Sequence, residues 1–205
     1  MPAENPSEPM DEVLMERLRA GDDSALGPLM ARWEVPLKSF LYRLLLNADE
    51  AAELAQETFV KLYFQRARYR AGARFAPWLL TIAANLARNR RRWWRRHPAV
   101  SLDEPDGEAG ASPRWEIVDP GATPDLQVRA KERAAEVRSA VAALPHELRE
   151  VVVLAEFEER SQAEIGAILG CSVKAVEMRL YRARERLRRV LAPGGGRTSK
   201  GFVST

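Results

Sequence analysis

The stretch SQAEIGAILGCSVKAVEMRLYRARERL, residues 161–187, contains the clearest local structural signal in the chain. Ser161 and Glu164 form a capping box, which predicts that a short helix begins there. Gly170 ends that helix, and Ser172 is placed to cap a second helix that continues to the end of the stretch. Two helices joined by so short a turn are typical of a helix-turn-helix unit; an ordinary packed helical hairpin is the simpler interpretation.

The second helix has the residue layout of a recognition helix. At 3.6 residues per turn, its apolar residues fall on one face and its polar residues on the opposite face. Arginines flank the polar face, where they can hold phosphates while the face itself meets a DNA groove. The predicted core face consists of Val173, Val176, Leu180 and Leu187. The predicted groove face consists of Lys174, Ala175, Met178, Arg182 and Arg189, with Arg179 and Tyr181 beside it.

The rest of the chain also has the apolar spacing of helices. No run alternates long enough for a half-buried strand, so the chain is predicted to be all-α. Further helices are predicted over about 10–20, 26–46, 48–65, 77–96, 125–144 and 145–157. The helix over 48–65 places Leu54, Phe59, Val60, Leu62 and Tyr63 on one side, which leaves Glu53, Gln56, Glu57 and Lys61 facing outward.

A change of composition near the middle divides the chain of 205 residues. There the sequence is rich in Pro, Gly, Ser and acidic residues, which cannot order a segment by burial. We therefore predict two small helical domains joined by a flexible acidic linker, the second a four-helix domain with the helix-turn-helix. The predicted segments are a disordered N-terminus at 1–10, a helical domain at 11–97, the linker at 98–124, a helical domain at 125–192 and a disordered tail at 193–205.

The positive charge of the chain is concentrated in two places. The net charge is only +3 at pH 7, but arginines cluster between Arg88 and Arg96 and again between Arg179 and Arg189. Such clusters suit a nucleic-acid partner, although solvated helix faces have the same composition.

Several classes of site are excluded by composition. One Cys and two His are too few for a zinc site, so we predict no metal and no cofactor. A lone Cys171 cannot form an internal disulfide, which indicates a reducing cytoplasm. Residues 1–10 lack the apolar core of an export signal, and no segment has the uncharged length of a membrane span, so no direct membrane insertion is expected.

Three motifs, taken together and in order, resemble the extracytoplasmic-function sigma factors. They are ELAQETF at 53–59, FAPWLLTIAAN at 75–85, and the helix-turn-helix from Glu164 to Arg184. The resemblance implies an alternative sigma factor, which binds core RNA polymerase, directs it to specific promoters and promotes DNA melting. It also implies an anti-sigma factor as a partner, through which the chain could be held at a membrane.

The resemblance further implies three sets of contact residues. Core polymerase would be gripped by Glu53, Gln56, Glu57 and Lys61. The minus-ten element, as duplex and as displaced non-template strand, would be contacted by Tyr69, Trp78, Leu80, Asn85, Arg88, Asn89, Arg91, Arg92 and Arg95, with Arg90 and Arg96 also on phosphates. The minus-thirty-five element would be contacted by Ser172, Lys174, Met178, Arg179, Tyr181 and Arg182. Whether Trp93 and Trp94 pack on the domain or lie on the DNA backbone is left open.

Two other functions compete with this interpretation. A two-domain helix-turn-helix regulator would bind DNA without acting as a sigma subunit, but its usual receiver domain is α/β, unlike the all-helical first half. An enzyme is disfavoured because the sequence has no phosphate-cradling Gly loop and no credible Ser/His/Asp arrangement. Glu177 and Met178 depart from the family's more typical residues, so the resemblance implies no particular promoter sequence.

Overall fold

A computed structural model describes residues 10–97 and 124–192, with side chains from residue 132 onward in the second segment. The predicted linker, except Pro124, and the predicted disordered ends, except Met10, lie outside these residues. Every regular element in the described segments is helical, which confirms the all-α prediction. The helices are α1 (Asp11–Arg19), α2 (Leu26–Leu45), α3 (Ala48–Gln65), α4 (Phe75–Arg96), α5 (Pro124–Ala142), α6 (His146–Val152), α7 (Gln162–Leu169) and α8 (Val173–Leu191).

The first half consists of α1 to α4, with α2 packed against both α3 and α4. The apolar residues of α2 recur at helical spacing, so they form one continuous stripe that drives this packing. The stripe is buried throughout and consists of Leu29, Trp33, Leu37, Phe40, Leu41 and Leu44. Asn47 starts α3 by accepting a hydrogen bond from the Glu50 amide at 3.0 Å. In α3, Leu54, Phe59 and Leu62 are buried as predicted.

The second half contains the helix-turn-helix as the sequence indicates it. The Ser161 amide donates to Glu164 Oε2 at 2.9 Å, and Ser161 Oγ accepts from the Glu164 amide at 3.3 Å, which completes the capping box. Gly170 ends α7 in the left-handed region at φ +66°. Ser172 Oγ accepts from the Ala175 amide at 3.2 Å and so starts α8.

Two details of the second half differ from the sequence prediction. Val173 was assigned to the core but is 43% exposed, because α8 begins at this residue and its first turn extends beyond the core. The helix that begins after Pro145 does not stay regular to Phe157. It widens into a single π-helical turn over Val153–Phe157, in which Val153 and Leu154 are buried.

The two halves are packed against each other. Helix α4 lies on α7, and α2 contacts α6 and the π-helical turn. The buried apolar residues of both halves form one continuous cluster. Arg149 of α6 donates to the Leu44 carbonyl of α2 at 3.0 Å, and Arg43 lies 3.9 Å from Glu158 and over the Phe157 ring.

Candidate protein and nucleic-acid interfaces

The outward face of α3 has the predicted polar residues, but some of them are already paired. Glu53 and Gln56 are exposed, and Glu57 lies 3.5 Å from Lys61 in an ion pair within the helix. Glu53 Oε1 accepts from Arg90 Nη2 of α4 at 2.9 Å. This hydrogen bond and the charge of Arg90 hold the pKa of Glu53 below its usual value.

Arg90 therefore has a different role from the one that its cluster suggested. Its guanidinium bridges Glu53 and Glu50, and the charge pairing ties the end of α4 to the start of α3. The prediction that Arg90 contacts DNA phosphates is not supported by this placement. Sequence reasoning missed the pairing because it joins residues that are 37 and 40 positions apart.

Two apolar residues on α3 were not recognised from the sequence. Phe64 is 77% exposed and Val60 is 53% exposed. Residues three and four apart share a helix face, so Phe64 continues the face of Glu57, Val60 and Lys61. The assignment of Val60 to the apolar side was wrong, since it lies one position beyond the buried Phe59. Phe64 and Val60 therefore add exposed apolar area to the predicted polymerase face.

Helix α4 presents a second stripe in which aromatic and amide groups share one face. Trp78, Asn85 and Asn89 lie at a spacing of about two and three turns. Trp78 is half-buried, with its ring edge-on to Tyr69 at 5.2 Å between centroids, and both asparagines are exposed. Asn85 Oδ1 accepts a hydrogen bond from Arg88 Nη2 at 2.6 Å.

Two residues predicted to contact a displaced base lie in the core. Tyr69 is 2% exposed and Leu80 is 1% exposed. The Tyr69 hydroxyl donates to the Ala73 carbonyl, and burial raises the pKa of Tyr69 to about 12. In this arrangement neither side chain offers a surface to a base. Leu80 is part of the apolar core, and Tyr69 packs edge-on against Trp78.

The arginines at the end of α4 fall into two groups. Arg88 and Arg91 are half-buried and face the second half of the molecule, whereas Arg92, Arg95 and Arg96 are exposed. Burial lowers the pKa of Arg91, and the charge of Arg95 lowers it further.

The two tryptophans between these arginines behave differently. Trp94 packs against the apolar core. Trp93 is 44% exposed and stacks on His97 at 4.9 Å between ring centroids. Trp94 is therefore a packing residue of the domain, whereas Trp93 lies at the surface, where DNA could reach it.

The polar face of α8 is exposed as predicted. Lys174, Met178, Tyr181 and Arg182 all reach solvent, with Met178 47% and Tyr181 61% exposed. The opposite face is buried through Val176, Leu180 and Ala183. Arg179 is half-buried beside Cys171, and the Ser172 hydroxyl caps α8. These two candidates therefore lie at the edge of the exposed face.

Contact between the two halves brings both sets of candidate DNA residues around one cavity. It has a volume of about 590 Å³ and lies between α4, α6 and α8. Its basic lining comes from Arg91, Arg182, Arg186 and Arg189, and Tyr181 and His146 also border it. Glu147 and Glu185 line the same space, so its four guanidinium groups are partly offset by two carboxylates.

Neither a metal-binding cluster nor a membrane-spanning helix is present in the described part of the chain. Within 10–97 and 124–192, no group of three or more His, Cys, Asp and Glu side chains could hold a metal ion. In the same ranges, no helix is both long enough and apolar enough to cross a membrane.

The chain is similar to known sigma factors in both of its halves. The family model for sigma-70 region 2 matches residues 29–97, and the one for sigma-70 region 4 matches residues 134–187. The chain is 37% identical over 177 residues to RNA polymerase sigma factor CarQ from Myxococcus xanthus, covering 86% of this chain and 95% of that protein. It is 32% identical over 185 residues to ECF RNA polymerase sigma factor SigW from Bacillus subtilis, covering 90% and 98% respectively.

A solved structure shows the same fold. CnrH, in complex with the cytosolic domain of CnrY, is 27% identical to this chain and superposes with a TM-score of 0.62. The match covers 88% of this chain and 96% of CnrH. The similarity therefore extends over both helical halves.

Proposed function

The chain belongs to the extracytoplasmic-function sigma factors of the sigma-70 family. From that premise we propose which half contacts core polymerase and which half contacts each promoter element. As an alternative sigma factor it acts with RNA polymerase in transcription initiation, and it is a non-enzymatic subunit. The region 2 match spans the helices of the first half, which sets aside the regulator that binds DNA without replacing a sigma subunit.

The first half, residues 11–97, would bind core polymerase and the minus-ten element. The outward face of α3 would meet the polymerase through Gln56, Glu57, Lys61 and the exposed Phe64. The α4 stripe would meet the promoter through Trp78, Asn85 and Asn89 on displaced bases and through Arg88, Arg91, Arg92 and Arg95 on phosphates. Support for the base contact comes from Asn85, an exposed amide held in place by Arg88.

The second half, residues 125–192, would bind the minus-thirty-five element. The observation that carries this assignment is the exposed polar face of α8, whose back is fixed by Val176 and Leu180 in the core. Lys174, Met178, Tyr181 and Arg182 would lie in the major groove, which admits one α-helix. Ser172 and Arg179 would hold the flanking backbone.

Energetics explain why such a chain acts as a subunit. DNA stacking is worth on average about 1.4 kcal/mol per base-pair step, so a bubble of about ten pairs costs on the order of 14 kcal/mol. Stacking of one displaced base returns about 1 to 3 kcal/mol. Core polymerase must therefore supply most of the contacts that keep a promoter open, and this chain would determine the promoter at which those contacts form.

The partners and the compartment follow from the same proposal. The chain would work in the bacterial cytoplasm, where core polymerase and promoter DNA are found. An anti-sigma factor would restrain it; CnrH, which has the same fold, is seen in complex with the cytosolic domain of CnrY. A pull-down from native cells should recover such an inhibitor, and recovery of core polymerase alone would contradict this part of the proposal.

The function is tested by transcription in a defined system. Purified chain is added to core RNA polymerase with genomic fragments, and transcript start sites are mapped. Specific transcripts that depend on both proteins are expected, and the upstream sequences would reveal the promoter. DNA binding without initiation dependent on core polymerase would contradict the proposal.

Asn85→Ala should reduce open-complex formation about tenfold and leave core binding unchanged. A hydrogen-bonding group aimed at a base contributes about 1 to 3 kcal/mol when its loss leaves the base edge unsatisfied. Permanganate reactivity of the promoter bubble measures DNA opening. Competition with another sigma factor for core polymerase measures core binding. The matched amide change Gln56→Ala on α3 should weaken core binding instead. Loss of core binding in Asn85→Ala would show that this residue is structural.

Arg182→Ala should weaken binding of the upstream duplex by about 1 to 3 kcal/mol if its guanidinium reads a base. Titration with the mapped minus-thirty-five sequence and with scrambled duplexes tests this. Arg188→Ala removes the same charge from α8 at a side chain that is 74% exposed and paired with Glu185, so it serves as the control. Equal losses for both variants on all sequences would assign Arg182 to a phosphate instead.

A further inference from the structure

Helix α8 has a single acidic side chain in the part that would enter the DNA groove. Between Val173 and Arg184 its only acidic residue is Glu177, which is exposed. Residues three and four apart are neighbours on a helix surface, so Glu177 lies between Lys174 and Tyr181. Both neighbours belong to the proposed groove face. The carboxylate therefore lies at that face, near the N-terminal end of the helix, where recognition helices contact base edges.

The fold itself gives no reason for an acidic residue at this position. In the part of the chain that the structure describes, the Glu177 carboxylate takes part in no ion pair or hydrogen bond. By contrast Glu185, the other acidic residue of α8, lies 3.4 Å from Arg188 and 3.6 Å from Arg189. The helix dipole favours acidic residues in the first turn, whereas Glu177 is in the second turn.

A carboxylate at this place needs a hydrogen-bond donor from the DNA. An ionised carboxylate accepts hydrogen bonds but cannot donate them, and the phosphates on both sides of the groove repel it. In the major groove, guanine presents only acceptors, and thymine presents an acceptor and a methyl group. Adenine presents its N6 amino group beside the N7 acceptor. Cytosine presents its N4 amino group as a donor, so it is the base that suits a carboxylate best.

We propose that Glu177 is a specificity-determining residue, which selects cytosine at one position of the minus-thirty-five element by accepting a hydrogen bond from the N4 amino group. The inference rests on the proposed role of α8 and adds the base that one position of the element should carry. Guanine or thymine at that position would place an acceptor oxygen against the carboxylate. Glu177 thus acts by rejecting these bases as well as by binding cytosine.

The promoter mapped for the native chain is the probe that tests this inference. Each base pair of its minus-thirty-five element is changed in turn to the other three, and initial transcription by the native chain with core polymerase is measured below saturation. At one position, cytosine should support about tenfold more transcript than guanine or thymine. That ratio corresponds to about 1.4 kcal/mol.

Glu177→Gln should change the preferred base at that position from cytosine to adenine. The amide keeps the length of the side chain but donates as well as accepts, and glutamine pairs with both N6 and N7 of adenine. The other positions should keep their native preferences. Glu177→Ala should remove the preference at the same position. Thermal unfolding should match the native chain for both variants, because the site is exposed and both new residues are good helix formers.

Glu185→Gln is the matched control, because it removes the same charge from α8 about two turns further along, where the carboxylate is already paired. It should leave the preferred base at every position unchanged. The inference is overturned if Glu177→Gln keeps every native preference, or if it changes transcription from all promoters by one common factor. The carboxylate would then act through its charge alone. A native chain that transcribes equally with every base in the element would contradict the proposed role of α8 itself.

Discussion

Gly166→Ala should disrupt the helix-turn-helix and reduce binding of the upstream duplex by more than about tenfold. A Cβ on Gly166 would lie 2.8 Å from the backbone carbonyl oxygen of Cys171, in the turn between α7 and α8. The turn is held against this glycine, because the Cys171 amide donates to the Gly166 carbonyl at 2.9 Å. A backbone atom cannot move aside as a flexible side chain can, so the turn must open and α8 must tilt. Overpacking of this kind costs about 1 to 3 kcal/mol.

The matched control is Gly27→Ala in α2, where an added Cβ meets nothing within 4 Å. Alanine is the better helix former, but Pro28 follows and disfavours a residue with a Cβ in the helical region, so the free energy of unfolding should change by less than about 1 kcal/mol. Urea unfolding of both variants gives the two free energies, and duplex titration gives the binding. If Gly166→Ala is as stable as the native chain and binds duplex equally well, the close approach in the turn is not rigid.

The helix-turn-helix was predictable from sequence because its signals are local. The capping box at Ser161, the left-handed Gly170 and the cap at Ser172 each involve residues within a few positions, and each was found where the sequence placed it. The same is true of the all-α class and of the buried stripe of α2. Short-range hydrogen bonds and helical periodicity decide these features without help from the rest of the fold.

Features that join distant residues were not predictable in the same way. Arg90 has the sequence neighbours of a phosphate-binding arginine, yet its position in space is beside Glu50 and Glu53. Tyr69 lies in a polar loop sequence, yet its ring is buried under Trp78. Packing of the second half on α4 depends on complementarity between two surfaces, and no single-sequence pattern reports it. The family resemblance indicates which helix faces bind partners, and the structure shows which side chains on those faces are already paired.

Phe64→Ala should weaken binding to core polymerase by about 5- to 30-fold. Phe64 lies at the end of the proposed face, where loss of an aromatic contact is expected to cost about 1 to 2 kcal/mol, and each 1.4 kcal/mol is a factor of ten in affinity. Phe64 is 77% exposed, so it is not needed for the core, and its removal should leave the unfolding free energy of the isolated chain nearly unchanged. Fluorescence anisotropy of labelled chain with increasing core polymerase gives the dissociation constant.

Tyr181→Ala is the matched control, because it removes an aromatic ring of similar exposure, 61%, from the face of α8 instead. That variant should bind core nearly as the native chain does and lose affinity for the upstream duplex. The two changes should therefore act on opposite steps: Phe64→Ala on core binding and Tyr181→Ala on duplex binding. If Phe64→Ala binds core with native affinity while remaining folded, the polymerase surface does not extend to the end of α3. The contact would then be confined to the charged residues nearer its start.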